Sequence, residues 1–236
     1  MFYFQRCCNL AELGSLYPVI FLFESVFALI ITLIILKRDP HYYLNQIFSL
    51  LIFSFANYFF WEAMIYYFNT DSFWTNFFKD ISIAGSFFAS FLFFSVGLFL
   101  WYDRSIKNSY WFYLSILVWI GALIFTIFDE HVLPVTTEVA FTRTPGLGHL
   151  ITYGVPLIYI LIGLLLFIRV YPNSDEKTQE KIRYLVIGVI IFVSAIIYFA
   201  VFRIIGLEDV IGGFADLIGA LLYSAGLILV LMAFKN

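Results

Sequence analysis

Residues 13–36 read LGSLYPVIFLFESVFALIITLIIL, an apolar run with one charged side chain, Glu24, closed by Lys37-Arg38-Asp39-Pro40. About 20 such residues wound into a helix cross the hydrocarbon core of a bilayer, so this stretch predicts a transmembrane helix and sets the solvent for the chain. The pattern recurs along the sequence. Spans are expected at 13–36, 43–68, 80–102, 110–128, 150–171, 182–206 and 211–234, separated by short polar breaks and one longer loop at 129–149. The whole chain agrees: 236 residues are 63% hydrophobic and 12% charged, and mean hydropathy is +0.96. That is roughly half the charged share of a soluble domain. At roughly 30 residues per span and connection the chain holds seven or eight spans and little else. The expected fold is all-α, a polytopic integral membrane protein forming one seven-transmembrane-helix bundle over residues 1–236, placed in the cell membrane as a multi-pass protein.

Composition also removes function classes. A net charge of −3 and 13 basic residues that form no run exclude nucleic acid as a partner. The two cysteines, Cys7 and Cys8, are adjacent and build neither a disulfide framework nor a CxxC pair. They are expected to be ordinary thiols, with acylation or a cross-link between two chains as the alternatives. No basic segment precedes a short apolar core with a cleavage site, so no removable signal peptide is expected.

Orientation follows from the basic residues. Lys37, Arg38, Arg104, Lys107, Arg169, Lys177, Lys181, Arg183 and Lys235 fall on one side, against Arg6, Lys79, Arg143 and Arg203 on the other. The positive-inside rule then places the N-terminus outside and the C-terminus in the cytoplasm. The outer loop from Asp129 to His149 alternates Val135, Thr137, Val139 and Phe141 and carries the turn signal Pro145-Gly146, which predicts a short hairpin or lid. The inner segment Asn173 to Lys181 alternates charges at helical spacing into the sixth span, which reads as a solvated helix extension or a docking surface.

Three acids, Glu24, Glu62 and Asp216, fall within expected spans. An ionised side chain at mid-bilayer costs about 2.5–3.5 kcal/mol on insertion scales, so each is expected to face the bundle interior, pair, or remain protonated. All three are expected in the outer half, where Arg203 is the natural counter-charge because a guanidinium holds a carboxylate through two hydrogen bonds. Gly212, Asp216, Ala220 and Ser224 repeat every four residues and form a small-residue stripe on which a neighbouring helix can close. Tyr58, Phe59 and Tyr66 share a face with Glu62, beside Trp61, and are expected to wall an amphipathic cavity with the carboxylate as its polar anchor. The candidate ligand site is therefore Glu24, Glu62, Arg203, Asp216, Tyr58 and Tyr66. The competing reading makes Glu62 and Arg203 headgroup contacts, and Glu24 and Asp216 structural hydrogen-bonding groups.

Other chemistry finds little footing. Asp129, Glu130, His131 and His149 are metal-ligand types without a recognised spacing, so no metal is expected. No nucleophile can be matched with a base and an orienting group, so no catalytic residue, no cofactor and no enzymatic activity are expected. The 30 Phe, 16 Tyr and 5 Trp exceed what interfacial belts require, and most are expected to pack between helices or face lipid.

Two resemblances bear on function. Asp216-Leu217-Ile218-Gly219-Ala220 looks like the aspartate of microbial rhodopsins followed four residues on by their retinal lysine, but Ala220 stands at that place and no lysine is expected in any span. A retinal Schiff base is therefore not expected. The chain more closely resembles the seven-transmembrane sensor region of membrane histidine kinases. The likeness rests on Lys37-Arg38-Asp39-Pro40 leading to an aromatic second span with Asn45, Phe48 and Trp61-Glu62, on Phe73-Trp74 to Gly85, and on Asp129-Glu130-His131 opening the outer loop. It continues in Tyr153 and in Gln179, Arg183, Tyr184-Leu185 and Gly188. It implies a sensor whose outer half perceives a signal that its helices pass inward. The chain ends at Lys235-Asn236 without a dimerisation helix, phosphoacceptor histidine or ATP-binding domain, so kinase activity is not implied.

The expectation is thus a stand-alone receptor-like or sensor module that binds a small or lipidic ligand in its outer half and signals through a cytoplasmic protein, with a homo-oligomer left open. The alternatives are a small solute or proton-coupled transporter and a structural subunit of a larger membrane complex. No internal repeat and no span broken by Gly or Pro at mid-depth supports the transporter.

Overall fold

A computed structural model describes residues 16–38, 40–41, 43–67, 72–102, 109–129, 132–133, 142–143, 147–205 and 208–234. Its side-chain description leaves out 16–17, 44, 66–67, 72, 129, 132–133, 142–143, 147–150, 177, 196 and 199–217. Helices dominate: α1 (Leu16–Arg38), α2 (Tyr43–Tyr67), α3 (Ser72–Tyr102), α4 (Tyr110–Asp129), α5 (Leu147–Val170), α6 (Glu176–Ile205) and α7 (Glu208–Ala233). Five are long and apolar enough to cross a membrane, over Pro18–Arg38, Asn45–Ile65, Phe73–Tyr102, Tyr110–Phe128 and Ile151–Asn173, and Ile218–Ala233 is a shorter apolar helix. Apolar helices of this length are compatible with a multi-pass membrane protein.

The distribution of side chains departs from that of a water-soluble bundle. Glu24, Asn45, Ser49, Thr75, Lys79, Ser82 and Thr126 are buried, whereas Phe23, Leu33, Leu117, Phe128 and Leu165 are among the most exposed. Exposed apolar surface on this scale is at home in lipid and not in water. Buried positions repeat at alternating spacings of three and four, as helix packing requires. On α1 they are Phe21, Glu24, Ala28, Ile31 and Ile35, and on α2 they are Asn45, Ser49, Ile52, Ala56, Phe59 and Ala63.

Packing order follows these stripes. α1 lies along α2, α2 along α3, α3 along α5, and α6 along α7, while the α6–α7 pair meets α1 through α7 and touches α5 lightly. The main core joins Ile31 and Ile35 of α1 to Leu51 and Ile52 of α2, Phe93 and Val96 of α3, Phe167 of α5 and Leu227 of α7. Between α6 and α7 the backbones touch. A Cβ added at Gly188 would sit 2.9 Å from the Gly226 carbonyl oxygen, and one at Gly226 would sit 2.9 Å from that of Gly188. α4 stands at the periphery. Its Trp119 Nε1 donates to the Phe87 carbonyl of α3 (2.9 Å) and its Ser115 carbonyl accepts from Tyr159 Oη of α5 (2.5 Å).

Helix ends show local causes. Asp175 caps α6, accepting from Thr178 N (3.0 Å) and Thr178 Oγ1 (2.7 Å), the arrangement that satisfies an otherwise orphaned first-turn amide. The polar segment from Glu176 to Lys181 is therefore part of α6, the helix extension that the charge spacing predicts. α5 continues through Pro156, which lacks the amide that would bond to the Thr152 carbonyl. In the long connection, β1 (Val132–Leu133) pairs antiparallel with β2 (Thr142–Arg143), with Val132 opposite Arg143 and Leu133 opposite Thr142; the alternating residues Val135 to Phe141 and the turn signal Pro145-Gly146 on which the expected hairpin rests lie outside the described residues.

One boundary differs materially from the expectation. α3 begins at Ser72 and not near residue 80, which brings Lys79 inside the helix at 0% exposure. Two corrections follow: Lys79 is not a loop charge, and the statement that no span contains a lysine does not hold. The physical reason is that Thr75, Lys79 and Ser82 share one fully buried face of α3, so the amine meets protein and not the hydrocarbon against which hydropathy weighs it.

Candidate functional site

The buried or half-buried charged groups Glu24, Glu62 and Lys79 lie toward the end of the bundle where α1 begins, α2 ends and α3 begins. Glu24 lies fourteen residues before Arg38, about 21 Å along α1, and Glu62 lies in the last turns of α2. Glu24 is 1% exposed, and its Oε1 accepts a hydrogen bond from Ser224 Oγ of α7 at 2.5 Å. Its Oε2 has no hydrogen-bond partner among the described residues. The adjacent Ser25 Oγ donates to the Ala56 carbonyl of α2 (2.9 Å), fixing the register of α1 against α2.

Glu62 Oε1 accepts from Ser82 Oγ of α3 at 2.6 Å. One turn before Ser82 stands Lys79, whose Nζ is 3.6 Å from Asp80 Oδ1. An aromatic ladder covers this junction. Trp61 stacks on Phe78 (5.1 Å) and Trp74 on Phe78 (5.7 Å), while Trp61 Nε1 donates to Asn57 Oδ1 (2.8 Å). Stacking and side-chain bonds together lock α2 to α3, because neither indole nor amide can reorient without breaking the other's contact.

Tyr223 of α7 is the residue next to Ser224, the donor to Glu24. It is buried at 6% exposure, packs against Phe59 (5.2 Å) and Phe192 (4.8 Å), and lies within electrostatic reach of Glu24, Glu62 and Tyr153. Four helices thus contribute polar groups to this end of the bundle: Glu24 of α1 paired with Ser224 of α7, and Glu62 of α2 paired with Ser82 of α3, with Lys79 one turn before Ser82 and Tyr223 one residue before Ser224. Such a set can hold a polar group through both acceptors and donors in a water-poor setting, where each hydrogen bond is electrostatically stronger than in water.

Of the residues expected from sequence, Glu24 and Glu62 are each held by a serine of another helix, Glu24 by Ser224 and Glu62 by Ser82. Tyr58 is half-buried beside them, its ring edge-on to Phe59 at 5.4 Å. Arg203, Asp216 and Tyr66 lie in α6, α7 and α2, but their side chains are outside the described residues, as are Asp129, Glu130, His131 and His149. Phe59, expected on the Glu62 wall, instead belongs to a core cluster with Phe21, Phe192 and Tyr223. An apolar crevice lies deeper, between α6–α7 and the helices α2, α3 and α5, lined by Leu51, Phe55, Phe93, Phe192 and Leu227 among others. Lys79 and Ser82 escaped the sequence reading. The signal that marks them is the polar spacing Thr75, Lys79, Ser82, three members of one helical face in an otherwise apolar helix.

Comparison of the chain with protein-family models, with curated proteins and with solved structures gives no match.

Proposed function

We propose that the protein is a receptor-like or sensor module of the cell membrane, crossing it seven times with its N-terminus outside. The polar cluster of Glu24, Glu62, Lys79, Ser82, Tyr223 and Ser224 receives a small or lipidic ligand from the outer side. Occupancy shifts the α6–α7 pair relative to α1, α2 and α3, and a cytoplasmic protein reads the shift. The observation that carries this reading is the hydrogen bond from Ser224 of α7 to the buried Glu24 of α1. A group bound there touches both moving parts at once, which is what a ligand must do to bias one arrangement over another. The likeness to the sensor region of membrane histidine kinases points the same way.

The test is a distance between spin labels at Arg38 of α1 and Glu180 of α6, measured in lipid nanodiscs. Glu24→Gln, which keeps the shape and replaces one carboxyl oxygen with an amide, is expected to shift the distance distribution or add a second population. Identical distributions in the wild type and the variant contradict the reading. A carrier is the second reading, motivated by the buried acid Glu24 within a membrane-length helix. Solute or proton flux in reconstituted vesicles, abolished by Glu24→Gln, distinguishes it.

A further inference from the structure

Arg169 stands in the last turn of α5, beside the end of α3. This is the far end of the bundle from Glu62, since Tyr43 at the start of α2 meets Phe99 (5.1 Å) while Glu62 near the end of α2 meets Ser82. The guanidinium carbon of Arg169 lies over the Trp101 ring, 4.1 Å from its centroid, and no acid among the described residues is paired with it. A cation over an indole is held by the negative face of the ring. That contact uses none of the five N–H donors, which lie in the guanidinium plane. Arg169 is also exposed, so its charge is held in place with its donors still available.

Behind Arg169 along α5 run Ile158, Ile162 and Leu165, at steps of four, three and four residues, so that all four side chains share one face. The three apolar ones are exposed. From Ile158 to Arg169 the helix rises about 16 Å, close to the roughly 15 Å of hydrocarbon in one leaflet. An apolar stripe one leaflet deep that ends in a fixed cation matches a lipid with its chains along the stripe and its phosphate at the end. Guanidinium groups hold phosphate oxygens through paired hydrogen bonds. A zwitterionic headgroup brings its own cation to the phosphate, whereas an anionic one leaves its charge for Arg169 to balance. Arg183 of α6 is a poorer candidate, because its guanidinium carbon is 5.6 Å from the ring of its own chain neighbour Tyr184, and Glu180 precedes it by one turn.

We propose that Arg169 and Trp101 form a headgroup site for an anionic phospholipid. Arg169 donates to the phosphate, and the acyl chains lie along Ile158, Ile162 and Leu165. Trp101 is a positioning residue that keeps the guanidinium at the edge of the stripe. The site is separate from the polar groups around Glu24 and Glu62, and it stands or falls independently of the sensor reading.

The experiment places the full chain in phosphatidylcholine nanodiscs with a trace of phosphatidylglycerol that carries a diazirine early in one acyl chain, and maps the adducts by mass spectrometry. The same diazirine on phosphatidylcholine is the reference. Adducts on Ile162, Leu165 or Ile168 are expected to be about fivefold more abundant with phosphatidylglycerol, the preference that one basic residue at a membrane surface supplies. Arg169→Gln is expected to abolish the preference while adducts from both lipids persist. Arg169→Lys, which keeps the charge and loses the fork, is expected to retain only part of it, and Trp101→Leu to fall toward the same value. Arg38→Gln removes an exposed charge from the end of α1 and is expected to leave the preference intact. Equal labelling by the two lipids overturns the proposal. So does a preference that falls as much in Arg38→Gln as in Arg169→Gln, which would mark diffuse charge and not a site. Suppression of the adducts by glycerol phosphate in solution assigns the position to a free phosphate and overturns the lipid. A preference unchanged in a folded Trp101→Leu overturns the role of Trp101, and where that variant does not fold the exposed Arg169 and Arg38 carry the test.

Discussion

Ser224 of α7 donates a hydrogen bond to Glu24 of α1, tying together helices 200 positions apart in the chain. Because Glu24 Oε2 has no partner among the described residues, removal of the Ser224 hydroxyl leaves both carboxylate oxygens without a donor there. Interhelical hydrogen bonds in membrane proteins contribute about 0.6 kcal/mol on average and up to about 1.7. Ser224→Ala is expected to lower unfolding free energy toward the upper of these values, measured by unfolding in bicelles, with Ser224→Thr close to wild type. An unchanged stability for Ser224→Ala contradicts this account of the contact.

Gly188 and Gly226 permit α6 and α7 to touch backbone to backbone. A methyl at Gly226 meets a carbonyl oxygen at 2.9 Å, and a backbone carbonyl cannot swing aside as a flexible side chain can. Gly226→Ala is expected to destabilise the protein by about 1–3 kcal/mol, the usual range for overpacking. Gly121→Ala and Gly154→Ala meet nothing within 4 Å and are expected to stay within about 0.5 kcal/mol of wild type or gain slightly from helix propensity.

The peripheral helix α4 is held to its neighbours by few polar contacts. Trp119→Phe removes the bond to the Phe87 carbonyl and Tyr159→Phe the bond to the Ser115 carbonyl. Each is expected to raise hydrogen exchange over Tyr110–Asp129 while α1 and α2 keep their protection. Equal deprotection of every helix would show that α4 is part of the cooperative core and contradict its peripheral placement.

Much of this arrangement is readable in the chain, and the exceptions have physical causes. The stripe Phe21, Glu24, Ala28, Ile31, Ile35 keeps a spacing of three and four, so the burial of Glu24 follows from helix geometry alone. That Glu24 meets Ser224 does not follow, because it depends on which helices are neighbours and in what register. For the same reason the small-residue stripe from Gly212 to Ser224 points to close helix contact, which Ser224 makes with Glu24 of α1, while the backbone approach to α6 among the described residues falls at Gly226. Lys79 was misplaced by hydropathy itself. A transfer scale weighs a lysine against lipid, whereas α3 sets this one among protein groups, and two further helical turns precede it. The pairing of Glu62 with Ser82 depends on that longer α3 and becomes visible only once its start is known.

The buried position of Lys79 is open to direct chemical test. Lys79→Cys is expected to resist a membrane-impermeant maleimide in intact nanodiscs, whereas Phe73→Cys, at a position 67% exposed, is expected to react. Fast labelling at position 79 would return the residue to a surface loop and dissolve the α3 part of the polar cluster.

The most direct measurement is a high-resolution density map of the protein extracted with its native lipids. The sensor account predicts a non-protein molecule in contact with Glu24 or Glu62 beside Tyr223. A cluster closed entirely by the protein's own hydrogen bonds, with no density between α1, α2 and α7, would contradict it and leave these residues a structural role.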